Sequence, residues 1–180
     1  MPIYLIRHGQ SEFNAAHTEG APDPMIFDAR LTAKGVDQAR GARVRARALG
    51  VQLVIVSPLT RALQTAQHIF GDTAPIKVMA DPREKLLHSC DVGRPPSALQ
   101  ADFPALSFEG LDDTWWHHGV PNELGYTVEP QDLFADRMRA FASTLTAMSP
   151  RPIAVVGHGN AFRELIGYQM ENCEICPYPQ

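Results

Sequence analysis

The chain is expected to fold as an α/β protein, a three-layer α/β/α sandwich with a mostly parallel central sheet. Short apolar runs at residues 3–6, 51–56, 76–79 and 153–156 lack the polar alternation of a one-sided sheet, which marks strands covered on both faces. Helical segments separate these runs, and strands that alternate with helices pair in parallel through crossover connections. Three of the runs end in polar clusters, and ligands of such sheets sit beyond the carboxyl ends of the strands.

Each element has its own signal. Residues 3–6 form a buried strand ending at Arg7, and residues 15–30, with Gly20, Pro22, Asp23 and Pro24, read as loop. Thr32 caps a helix that runs to about residue 49 and stops at Gly50. A second strand ends at Ser57-Pro58, and Pro58 suits the first turn of a helix reaching about residue 70. The third strand covers residues 76–79. Residues 82–125 mix Pro, Gly, Asp and aromatic residues with weak periodicity, so they are expected to form an irregular cap over the site, with one short helix near 97–103. A long helix over 130–148 puts Leu133, Phe134, Met138, Phe141, Leu145 and Met148 on one side. The fourth strand ends in Gly157-His158-Gly159, a helix follows to about residue 170, and a last short strand is placed at 173–175. The length of 180 residues suits a single domain over the whole chain.

Composition narrows the functional classes. A formal net charge of −4 argues against general nucleic-acid binding, which needs a cationic face. The arginines at 40, 43, 45 and 47 read as a solvated helix face. No apolar run approaches a membrane span, and no signal-peptide pattern is visible at the start. Three cysteines, Cys90, Cys173 and Cys176, do not suggest a secreted disulfide framework, so a cytoplasmic protein is expected. Cys173 and Cys176 form a lone pair and the histidines make no ligand motif, so neither a metal nor a cofactor is expected.

The polar strand ends carry the chemistry. They bring two arginines, Arg7 and Arg61, and two histidines, His8 and His158, to one crevice. Two guanidinium forks facing one point make an anion site. A neutral imidazole beside a bound phosphoryl group is a nucleophile, giving covalent catalysis through a phosphohistidine. A second, protonated histidine would help to neutralise the phosphate. The glycines after His8 and around His158 are read as letting backbone approach the ligand. Glu84, after the third strand, is the candidate general acid and, afterwards, the base for water. Asn14, Ser11, Ser57 and His88 are candidate pocket residues, although Asn14 and both serines also suit turns. In the stretch His88-Ser89-Cys90-Asp91 a loop bordering the pocket is favoured over a catalytic cysteine. Trp115 and Trp116 read as packing.

The blocks "LIRHGQSEFN", "LTAKGVDQA", "SPLTRALQTA" and "VVGHGNAFREL" in this order resemble the histidine phosphatase superfamily, in its phosphoglycerate-mutase-like branch. The resemblance implies the phosphoglycerate-mutase-like fold and His8 as the phosphorylated nucleophile. It also implies Arg7, Arg61 and His158 as the rest of the phosphate pocket, Asn14 at its border, Glu84 as proton donor, and a reaction without metal. The stretch "REKLLHSCDVGRPPS", with the later "WW", departs from the commonest pattern and looks like a phosphatase-like subgroup, leaving the substrate open. The chain is short for a glycolytic mutase, and a smaller cap favours hydrolysis. A phosphomonoester hydrolase is therefore expected, acting on a small phosphorylated metabolite or a phosphoprotein. The alternatives are a phosphoglycerate-type mutase or a non-catalytic phosphate- or phosphoprotein-binding module.

Overall fold

A computed structural model describes residues 2–71 and 73–179. In chain order the elements are β1 (Ile3–Arg7), α1 (Glu12–Ala16), α2 (Ala33–Arg47), β2 (Leu53–Val56), α3 (Thr60–Ile69), β3 (Ile76–Val78), α4 (Pro96–Asp102), α5 (Gln131–Ala147), β4 (Ile153–Gly157), α6 (Gly159–Ile166) and β5 (Ile175–Pro177). A single 3₁₀ turn, Ser89–Asp91, precedes α4. The five strands lie in the order β3-β2-β4-β1-β5. All pairs are parallel except β1 with β5.

The apolar runs are explained by the two faces they serve. Side chains alternate across a strand. Ile3, Leu5, Ile55, Ile153 and Val155 point to the face covered by α5 and α6, where Phe134, Met138, Phe141, Leu145 and Phe162 pack. Ile6, Val54, Val56, Ala154 and Val156 point to the opposite face, against Ala39, Ala42 and Ala46 of α2 and Ala62, Leu63, Ala66 and Ile69 of α3. The alanine stripe of α2 lets that helix lie close to α3. The segment after β3 contributes to the same core: Leu99 of α4, Phe103, Leu106, Phe108 and Trp115 are all buried in it. Trp115 stands edge-on to Trp116, its indole N–H donates to the Arg94 carbonyl at 2.8 Å, and a Cβ on Gly93 would lie 2.3 Å from its ring. The tryptophans therefore pack, and only a glycine fits beneath them.

Several boundaries move for identifiable reasons. α1 escaped the sequence reading because five residues carry no helical period; it is held by a reciprocal cap between Ser11 and Asn14. α3 starts at Thr60, not Pro58, with its first N–H met by Asp28 from a distant loop. α6 stops at Gly167, which takes φ 73° and closes the helix, rather than reaching residue 170. The last strand lies at Ile175–Pro177, not 173–175, because Cys173 takes φ 57° and Glu174 closes a turn onto Glu171. Leu133 is half exposed; the buried stripe of α5 runs Phe134, Met138, Phe141, Leu145, and Leu133 sits one residue off it. No helix among the described residues is long and apolar enough to cross a membrane.

Candidate active site

β1 and β4 are neighbours in parallel register, with Arg7 opposite Gly157, so the residues that follow both strands emerge side by side. His8 continues the ladder through its N–H to the Gly157 carbonyl at 3.0 Å, and its own carbonyl accepts from the Asn172 amide at 2.8 Å. Its backbone is therefore pinned on both sides. Nδ1 lies 2.7 Å from the Gly9 carbonyl, which can only accept, so Nδ1 carries the proton and Nε2 keeps the lone pair. The Arg61 Nε–H donates to that Nε2 at 3.3 Å. Burial, then the guanidinium groups of Arg61 and Arg7, push His8 well below the ordinary histidine value. The ring is neutral at pH 7 with its free nitrogen beside a fixed cation.

Arg61 sits in the first turn of α3, which Leu59 leaves without a side-chain cap. Asp28, itself at φ 40°, supplies one from another loop, accepting from the Thr60 N–H at 2.8 Å and from its hydroxyl at 2.5 Å. The guanidinium then spends its other nitrogens on the Cys90 carbonyl at 2.6 Å and the Asp91 carboxylate at 2.8 Å, with both partners of that ion pair buried. Asp91 also accepts from the N–H groups of Leu87 and His88, so it ties the loop to the arginine. Arg7 donates from Nη1 to the Met170 carbonyl at 2.6 Å, and its buried Nε has no protein partner.

His158 is fully buried, its ring 5.2 Å from that of His8. Nε2 lies 2.8 Å from the Ser57 Oγ, and that oxygen already accepts from the Leu59 N–H. The hydroxyl is thus free to donate to Nε2, which places the ring proton on Nδ1, a buried nitrogen with no protein partner. Burial and then Arg61 push His158 well below the ordinary value, with His8 and Arg7 adding to it. The expected protonated second histidine is therefore a neutral one: two guanidinium groups and a low-dielectric setting leave no favourable place for a third cation.

Glu84 is buried at the start of α6. Its carboxylate accepts from the N–H groups of Asn160 and Ala161, both at 3.0 Å, and of Lys85 at 2.9 Å. Burial is the largest influence on it and Asp91 the next, and together they outweigh those bonds and raise its pKa. A carboxyl group held ready to carry a proton suits a general acid.

These groups meet in a cavity of about 180 Å³. Its wall brings together Arg7, His8, Ser11, Asn14, Arg61, Glu84 and His88. His158 and Ser57 lie behind that wall rather than on it. Ser11 is chiefly the N-cap of α1, with Asn14 as its partner. Phe13, His17, Asp91, Asn160 and Gln169, which were not singled out for the site by the sequence, complete the lining together with Cys90 and Gly159. Asp91 had the clearest signal, lying seven residues after Glu84 in the loop expected to border the pocket. Cys90 contributes its carbonyl, while burial and then Asp91 push its thiol up and keep it inert. The three cysteines are free thiols. No His, Cys, Asp and Glu cluster able to hold a metal ion occurs among the described residues.

Gly9 serves packing: a Cβ there would lie 2.5 Å from the Gly35 carbonyl oxygen, so the tip of β1 can lie on the first turn of α2. Gly159 is on the cavity wall, where a Cβ would lie 2.5 Å from the Gln169 side chain.

Comparison with known proteins gives the family. "Probable phosphoglycerate mutase GpmB" of Enterobacter sp. (strain 638) is 39% identical over 93 residues, 52% of this chain and 40% of that protein. "Adenosylcobalamin/alpha-ribazole phosphatase" of Escherichia coli (strain K12) is 27% identical over 171 residues, 92% of this chain and 77% of that protein. The structure of the alpha-ribazole phosphatase from Shigella flexneri superposes with a TM-score of 0.67 at 20% identity, covering 98% of this chain and 89% of that one, which establishes the shared fold. The model of the histidine phosphatase superfamily (branch 1) matches residues 3–174, and the chain belongs to that family.

Proposed function

We propose that the protein is a phosphomonoester hydrolase that works through a phosphohistidine on His8. The observation that carries this reading is the state of His8: neutral, its tautomer fixed by the Gly9 carbonyl, and its free Nε2 on the cavity wall beside Arg61. The phosphoryl group takes the place of Arg61's present contact with Nε2, lying between the guanidinium groups of Arg7 and Arg61. The unpartnered N–H of Arg7 Nε, a residue on the cavity wall, supports a phosphoryl group as the missing partner, since leaving a buried donor empty costs about 1–3 kcal/mol.

In the first step Nε2 attacks phosphorus and the P–O bond to the alcohol breaks. Glu84 gives its proton to the leaving oxygen. In the second step water attacks phosphorus, the bond from phosphorus to Nε2 breaks, and Glu84 takes a proton from the water. Orthophosphate leaves and His8 is again neutral. Phosphoryl transfer asks mainly for positioning and charge stabilisation, which the two arginines supply. The substrate would be a phosphorylated small molecule, and the three free thiols fit a reducing, cytoplasmic setting.

The test is phosphate release from p-nitrophenyl phosphate in the presence of a chelator, comparing the wild type with His8→Ala. Activity that survives chelation and disappears with His8 supports the reading. Activity retained without His8 would overturn it. A bisphosphorylated sugar acid added to the same assay separates hydrolysis from transfer: a mutase would return isomerised product instead of orthophosphate.

A further inference from the structure

The mouth of the catalytic cavity carries a feature that the phosphoryl chemistry does not use. Phe13, His17 and His88 all line the cavity and pack on one another as a triangle of rings. Phe13 and His17 are stacked, with centroids 5.0 Å apart and planes at 23°. His88 closes the triangle at 5.3 Å from Phe13 and 5.0 Å from His17. The cluster is anchored from below: Phe13 is buried with Ala29 and Cys90, and the His88 backbone is held by Asp91. The His88 side chain is 41% exposed, so the cluster runs from the buried floor to solvent. The buried Nδ1 of His17 has no protein partner.

The charge of the cavity points the same way. Its lining holds two guanidinium groups, Arg7 and Arg61, and no lysine. Both are committed to the transferred phosphoryl group, and Arg61 is already shared with Asp91. The other ionisable side chains of fixed sign are acidic: the proton-carrying Glu84 and the Arg61-paired Asp91 on the wall, and Asp23 beside His88 at 3.6 Å. A second phosphate or a carboxylate on the leaving group would meet acidic groups there and no uncommitted guanidinium or lysine.

From this we propose that Phe13, His17 and His88 form the leaving-group subsite, and that it accepts an uncharged planar ring in preference to a second anion. The inference rests on the hydrolase reading for the identity of the phosphoryl end. Ring stacking supplies the preference. At about 180 Å³ the cavity seats the phosphoryl group and the first ring, and anything larger continues past His88 into solvent.

The experiment compares benzyl phosphate, cyclohexylmethyl phosphate and 3-carboxypropyl phosphate, all esters of primary alcohols. The wild type is expected to favour benzyl over cyclohexylmethyl phosphate by about 3- to 10-fold in kcat/KM, with the carboxylate ester poorest. The His88→Ala, His17→Ala double variant should bring the benzyl-to-cyclohexylmethyl ratio close to one, and His88→Phe should keep it. A wild-type ratio near one, a ratio untouched by the double variant, or a preference for the carboxylate ester would overturn the proposal. Titration of benzylphosphonate and cyclohexylmethylphosphonate, whose P–C bonds resist hydrolysis, reads the same preference without turnover. Tighter binding of benzylphosphonate, with no phosphate released from any of the three esters, would refute the hydrolase reading and leave the subsite standing. Phosphate release with no ring preference would do the reverse.

Discussion

Replacing Asp91 by Ala separates two roles that one carboxylate plays. Asp91 is 5% exposed and holds the Arg61 guanidinium at 2.8 Å while accepting from the N–H groups of Leu87 and His88. Removing one partner of a buried ion pair costs about 3–5 kcal/mol, because the other charge stays buried without compensation. For a chain of this size that corresponds to a fall in Tm of roughly 6–20 °C. The second role is electrostatic. Asp91 helps to hold the Glu84 pKa up, so its loss must lower that pKa and move the alkaline limb of kcat/KM to lower pH. Thermal melting and a pH–rate profile on the same preparation measure both effects. A variant that melts within 2 °C of the wild type and keeps its alkaline limb would refute the reasoning, since neither the ion pair nor the coupling would then matter.

Three further outcomes follow from the geometry. Glu84→Gln should lose about 10²–10⁴ in kcat on an alkyl phosphate but much less on p-nitrophenyl phosphate, whose phenolate leaves without a proton; equal losses on both would remove Glu84 from the acid role. Ser57→Ala should lower kcat/KM by roughly 10- to 100-fold, because the hydroxyl that holds the His158 ring against His8 is lost; unchanged kinetics would show that Ser57 does not position that ring. His8 and His158 are neutral in the fold well below the value of about 6.5 that each has when unfolded. Below that pH the unfolded chain binds protons that the folded chain does not, so stability is full above it and is lost as pH falls. Tm should drop between pH 7.5 and 5, and a flat profile would contradict the two depressed values.

The fold and the nucleophile were legible because both are written in contiguous stretches. A strand covered on both faces is an unbroken apolar run, and Ile3, Leu5 and Ile6 show this directly by dividing between the two cores. Residues at the tips of adjacent parallel strands must meet, so His8 and His158 could be brought together without coordinates. The support around them was not legible, because it comes from far along the chain. Asp28 caps a helix 32 residues away, Asn172 holds the His8 carbonyl, and Thr65 accepts from Gly9. None of these residues carries a local pattern that distinguishes it from a turn former or a helix surface. The neutrality of His158 is not legible for a related reason: charge in a pocket depends on burial and on every neighbour, and the sequence shows the arginines but not how deeply the imidazole is buried.

The central claim is that phosphorus bonds to Nε2 of His8 during turnover. It is tested most directly by quenching the enzyme in base during turnover of a ³²P-labelled phosphomonoester and mapping the label. A base-stable, acid-labile phosphoramidate is expected on the peptide containing His8, formed with chelator present and absent from His8→Ala. Turnover without label on that peptide, or label that survives acid and maps to a hydroxyl or carboxyl side chain, would contradict it.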